Sequence, residues 1–142
     1  MSVWGRLWAR WNAKAIALHL RSGQIGELAA KKYLKGLGLK FLASNFASAR
    51  GEIDLLFRDR DCLVFVEVKT RSSELWTPPA AAVNGRKRRH LSRAALDYLN
   101  RLKQPQIRTR FDIVEVLLED GLVREIRHLP DAFPLSRPFR YG

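Results

Sequence analysis

The sequence predicts one α/β domain, a mixed sheet flanked by helices, with elements in the order α-β-β-β-α-β-β. Three observations predict it. Two segments, Ser22 to Gly36 and Gly85 to Lys103, carry apolar residues at helical spacing. Five runs rich in Val, Ile, Leu and Phe fall three before and two after the second of these segments. The chain has 142 residues, 46% hydrophobic and 28% charged, enough for one globular domain with a sizeable core.

Residues 1–21 read as a basic N-terminal extension. They carry four Arg or Lys, no acidic residue, and Trp4, Trp8 and Trp11 at helical spacing. A basic amphipathic helix touching membrane or nucleic acid has this pattern. Packing of the tryptophans on the domain is the preferred expectation. Arg6, Arg10 and Lys14 break any apolar stretch a secretory signal would need.

The domain proper is expected over 22–133. Its first helix follows Ile25, Leu28 or Ala29, Lys32 or Tyr33, and Gly36 or Leu37, with Ser22 as N-cap and Gly36-Leu37-Gly38 as the stop. Gly23 and Gly26 weaken its first turn and suit the close approach of another backbone. Leu39 to Phe46 alternates as a strand, and Ser48 to Gly51 forms a turn. Strands Glu52 to Arg58 and Cys62 to Thr70 flank the charged turn Arg58-Asp59-Arg60-Asp61. Ser72 to Ala82, with Trp76 and Pro78-Pro79, reads as a loop. Trp76 could stack on bases or pack on the domain. In the second helix Leu91, Ala95, Tyr98 and Leu102 form the apolar stripe, and Pro105 ends it. Arg110 to Leu118 and Leu122 to Leu129 pair around Glu119-Asp120-Gly121. Pro130 onward runs over the surface, with 134–142 as the C-terminal tail.

The formal net charge is +12 and the pI about 10.7, which favours polyanionic partners, nucleic acid before acidic membrane. No membrane partner is expected: the longest apolar run, Cys62 to Val66, is far short of the ~20 residues that cross a bilayer. The lone Cys62 cannot form an internal disulfide, reads as small core filler and fits a reducing cytoplasm. Neither a phosphate-cradling Walker loop nor a dinucleotide fingerprint occurs. His19, His90 and His128 lack ligand spacing and suit surface or packing roles.

One conflict stands out. Glu52, Asp54, Glu67 and Lys69 alternate in strands whose other residues demand burial. A turn centred near Arg60 sets Asp54 opposite either Val66 or Glu67. The second register brings the two carboxylates to one face, Cβ atoms about 4.5–5.5 Å apart. A slip of one residue sends them to opposite faces. Carboxylates that close need a shared proton or a cation such as Mg²⁺ (or Mn²⁺), which takes one or two carboxylates plus waters and phosphate oxygens. Lys69, beside them, would orient a water or steady a phosphate's developing charge. Glu52 has no assigned ligand role. Asp112 reads as a structural hydrogen-bond acceptor in preference to a member of this cluster.

Gly26-Glu27, Arg50-Gly51-Glu52-Ile53-Asp54-Leu55 and Val66-Glu67-Val68-Lys69-Thr70-Arg71, followed by Arg110-Phe111-Asp112-Ile113-Val114 and the closing His128-Leu129 and Ala132-Phe133, resemble the YraN family of uncharacterised bacterial proteins. The same pattern is similar to the archaeal Holliday-junction resolvases, of the PD-(D/E)xK restriction-endonuclease-like superfamily. Ile53 stands where the superfamily's name has proline, as is usual in the resolvase-like branch. The resemblance implies a restriction-endonuclease-like fold and a metal-dependent endonuclease acting on DNA, at branched or otherwise structured sites. It implies Asp54 and Glu67 as metal ligands, Lys69 serving the attacking water, Glu27 completing the acidic site, and a homodimer. A binding module of the same fold without catalysis, or a nuclease directed at RNA, is the alternative. Nine Arg or Lys lie between Arg86 and Arg110 against one acid, Asp97. Arg71, Arg86, Lys87, Arg88 and Arg89 are the candidate phosphate contacts, four of them where the second helix begins.

Overall fold

The computed structural model describes residues 2–72, 84–103 and 106–135. Helix α1 runs Val3–Gly36 and helix α2 runs Gly85–Leu102. The strands are β1 (Lys40–Ser48), β2 (Gly51–Asp59), β3 (Cys62–Ser72), β4 (Arg108–Glu119) and β5 (Leu122–Phe133). The order is α-β-β-β-α-β-β, and the sheet runs β1-β2-β3-β4-β5. β3 and β4 are parallel and every other pair antiparallel. α2 lies between β3 and β4 in sequence, the crossover that a parallel pair requires.

Strand alternation divides the core in two. Leu55, Phe57, Val64, Val66, Val114 and Val116 meet Ala30 and Leu34 of α1. Leu56, Leu63, Phe65, Phe111 and Ile113 meet Leu91, Ala94, Ala95 and Leu99 of α2. The sheet is therefore covered on both faces, and its central strands are apolar nearly throughout. Tyr98 packs edge-on to Phe46 and Phe65. Buried Cys62 is part of this core.

Three expectations need correction. The first helix does not begin at Ser22. It begins at Val3, where Ser2 Oγ accepts from Gly5 N–H at 3.0 Å, and it runs unbroken through Ser22. Nothing in 3–21 forbids helix, so a good capping residue inside the run had nothing to terminate. Nor do the tryptophans pack on the domain: Trp4, Trp8 and Trp11 are 82%, 66% and 69% exposed. Finally, β5 continues past Leu129 to Phe133, which stacks on Phe111 at 4.7 Å, so 130–133 belong to the sheet. Pro130 is tolerated there because β5 is an edge strand. The expected loop with Trp76, the Pro105 stop and most of the tail lie outside the described residues.

Gly26 fixes how α1 meets the sheet. A Cβ there would fall 1.8 Å from Thr70 Oγ1, so only glycine lets the helix lie this close to the end of β3. A side chain approaches here, where a second backbone had been expected.

Candidate metal and nucleic-acid site

The turn between β2 and β3 is Arg60-Asp61, with Arg60 in the left-handed region at φ 56°. Pairing runs from Asp59↔Cys62 to Leu55↔Val66. Extended by one residue, the same register sets Asp54 opposite Glu67. Backbone pairing stops there and a side chain takes over, since Val68 N–H donates to Asp54 Oδ2 at 2.8 Å. Asp54 is thus tied to β3 beside Glu67, and the two carboxyls share a hydrogen bond.

Burial first, then the charge of Glu67, push the Asp54 carboxyl up to about 7, with the Val68 hydrogen bond opposing. The pair therefore keeps a proton to higher pH than an ordinary carboxylate would. Glu67 is 4% exposed. Its Oε1 lies 3.5 Å from Lys69 Nζ and 3.2 Å from Lys87 Nζ, while Oε2 is buried without a hydrogen-bond partner among the described residues. Lys87, a candidate phosphate contact, reaches Glu67 from the first turn of α2, where Asn84 Oδ1 accepts from Lys87 N–H. That contact depends on where the crossover helix lands, which strand periodicity does not report.

Glu27 approaches from α1. It hydrogen-bonds Asn45, and with Ser44, Asn45 and Leu55 it lines a cavity of about 270 Å³. Burial, then the charges of Asp54 and Glu52, raise its carboxyl above the usual range. It feels the pair without joining it: among the described residues no three His, Cys, Asp or Glu side chains are gathered to hold a metal. The donor set is the Asp54–Glu67 pair. Two facing carboxylates with an orphaned buried oxygen fit a small oxygen-liganded divalent ion that keeps several of its waters.

The basic candidates divide. Arg86 and Arg89 are exposed at the start of α2, while Arg88 lies over the Phe133 ring at 5.3 Å and Lys87 faces Glu67. Arg71 is half-buried, its Nε 3.8 Å from Glu115 Oε2. Glu115 is fully buried, both oxygens lack hydrogen-bond partners among the described residues, and burial holds its carboxyl above the usual range despite Arg71, Arg127 and Lys69 nearby. The signal that singled out Asp54, a carboxylate inside an apolar strand, also marks Glu115 in Ile113-Val114-Glu115-Val116-Leu117.

Asp112 stays apart. It is paired with Val66, whose side chain is in the α1-side core, so it shares that face and not the face of Glu67. There its carboxylate accepts from Arg110 Nε at 3.0 Å and Asp131 N–H at 2.9 Å and meets His128 Nε2 at 2.8 Å. It is a structural acceptor, and His128 has a packing role, its ring edge-on to Tyr33.

Residues 26–116 match the uncharacterised protein family UPF0102. A UPF0102 protein of Geotalea daltonii is 44% identical over 114 residues, covering 80% of this chain and 90% of that protein. One from Geobacter metallireducens is 41% identical over 122 residues, 85% of this chain and 99% of its own length. One from Rhodococcus opacus is 37% identical over 118 residues and is covered completely.

Proposed function

The chain belongs to the uncharacterised family UPF0102, and from the site it carries we propose that it is a divalent-metal-dependent nuclease that hydrolyses phosphodiester bonds in branched or otherwise structured DNA. The observation that carries the proposal is the Asp54–Glu67 pair, with Lys69 two residues from Glu67 and 3.5 Å from its Oε1. Its likeness to the restriction-endonuclease-like arrangement supports the same reading.

In this proposal Asp54 and Glu67 hold Mg²⁺ or Mn²⁺, which supplies positive charge at the phosphate and a more acidic water. The Val68 N–H, donating to Oδ2, fixes the Asp54 carboxyl where the ion would be held. Lys69, 3.5 Å from Glu67 Oε1, would hold its ammonium toward the attacking water and the phosphate oxygens. Glu27 adds negative charge on the α1 side. The exposed Arg86 and Arg89, with the positive end of α2, contact the duplex backbone.

One observation favours a second reading, a binding module without catalysis. Lys87 and Lys69 both lie against Glu67 Oε1, so internal cations already offset the charge a metal would neutralise. Incubation of the purified protein with branched and linear DNA, in Mg²⁺, in Mn²⁺ and in EDTA, separates the two. The expected result is metal-dependent cleavage, reduced at least about 100-fold in Asp54→Ala and Lys69→Ala. Absence of cleavage, or cleavage unchanged in both variants, removes the enzyme reading. DNA binding that survives the substitutions supports the module, and RNA competition tests whether RNA is the substrate instead.

A further inference from the structure

We propose that the N-terminal part of α1 is an interfacial anchor, which lays its tryptophan stripe into an anionic lipid surface. The starting observation is exposure. Beyond Trp4, Trp8 and Trp11, Leu7 and Leu18 are 52% and 54% exposed, although all five are large apolar side chains. Val3, Ile16 and Leu20 are exposed too and lie off the tryptophan side, but the three tryptophans gather on one side of the helix. At 100° per residue Trp4, Leu7, Trp8, Trp11, Ala15 and Leu18 fall within one arc of roughly 100°. From Trp4 to Leu18 the stripe extends about 21 Å along the axis.

The stripe is turned from the ridge that seats α1 on the sheet. The buried ridge of α1 is Gly26, Ala30 and Leu34, and its mean direction lies roughly a quarter turn from the stripe. The sheet therefore stands beside a surface that receives the tryptophans, not between them and that surface. A Cβ placed at Gly23 would meet nothing within 4 Å. The family match begins at residue 26, past the arm.

Charge selects the occupant. Arg6, Arg10, Lys14 and Arg21 form a band along one flank of the stripe, and the first acidic residue of the chain is Glu27. A second copy of the arm would bring these bands together with no carboxylate to answer them. A nucleic acid answers the charge but offers no continuous apolar layer for six apolar side chains. An anionic bilayer offers both: acyl boundary for the tryptophans and leucines, phosphate headgroups for the arginines and lysine. The expectation of no membrane partner narrows accordingly. Among the described residues no helix is long and apolar enough to cross a bilayer, and the proposed contact is with its surface.

The test is flotation of the full chain with vesicles, read together with tryptophan fluorescence. Vesicles of phosphatidylcholine with about one-third phosphatidylglycerol are expected to carry the protein at least roughly tenfold better than phosphatidylcholine alone, less so in high salt. Brominated acyl chains should quench the fluorescence. Trp8→Glu with Trp11→Glu should abolish flotation. Ala9→Glu with Ala13→Glu, the same charge change on the opposite side of the helix, should retain most of it. Equal loss in both double variants, or quenching unchanged in the tryptophan variant, overturns the proposal by reducing the contact to net charge. It also falls if the tryptophan variant floats normally but loses duplex DNA binding, or loses a concentration-dependent dimer in sedimentation. None of these outcomes bears on cleavage by the Asp54–Glu67 site.

Discussion

Asp54 and Asp112 interrupt apolar strands in the same way, yet they end in opposite chemical states. Asp112, on the α1 face, is surrounded by donors. Burial alone would raise its carboxyl, but the hydrogen bonds of His128, Arg110 and the Asp131 N–H outweigh that and hold it below the usual range. Asp54 receives one backbone N–H and faces another carboxylate, and its carboxyl is pushed up to about 7. One acid has been supplied with everything a folded carboxylate needs. The other has been left short of positive charge. A protein keeps the second arrangement at a cost in stability, and such sites are where a ligand is expected to make up the deficit.

The sharpest way to break this comparison is to remove each acid in turn. Asp112→Ala leaves Arg110 and His128 against an empty buried position and should cost about 3–5 kcal/mol in urea unfolding at neutral pH. Because the folded carboxyl is held low, its contribution is present above the ordinary carboxylate range and is lost as pH falls through the folded value. Acid should therefore narrow the gap between wild type and variant. A loss under about 1 kcal/mol would mean the cluster is not the brace described here.

Asp54→Asn should do the reverse. In metal-free protein at pH 8 it removes a carboxylate the fold disfavours, and a gain on the order of 2 kcal/mol is expected. The sign follows from the raised folded value: wild type loses stability as pH rises from about 4 to about 7, and the variant should lack that slope. Mg²⁺ should raise the melting temperature of wild type and leave Asp54→Asn unmoved. Destabilisation of the variant without metal would place Asp54 in the same class as Asp112. The smallest expected effect is at Glu27, whose carboxyl is raised partly by Asp54. In Asp54→Asn its titration, followed by carbon NMR, should move part of the way back to the ordinary value.

How much of this was legible beforehand depends on the range of each interaction. The register that sets Asp54 against Glu67 follows from the short charged turn and strict alternation, both local, and was one of only two options. The element order followed from periodicities of the same local kind. What escaped was set by tertiary placement. Lys87 looked like one of four solvent-facing cations until α2 docked with its first turn over Glu67. Ser22 looked like a cap because capping chemistry is local, whereas helix continuation through it depends only on nothing intervening upstream. The tryptophans looked like core because spacing records which residues share a face and not whether anything lies opposite.

Gly26 gives the molecule a fulcrum. A close seat of α1 at the end of β3 is the glycine against Thr70, one residue from Lys69. From Gly26 to Trp4 is about 33 Å of rigid helix, so a tilt of about 5° at that seat swings the tryptophan end by about 3 Å. A load on the arm would act through that seat, one residue from Lys69.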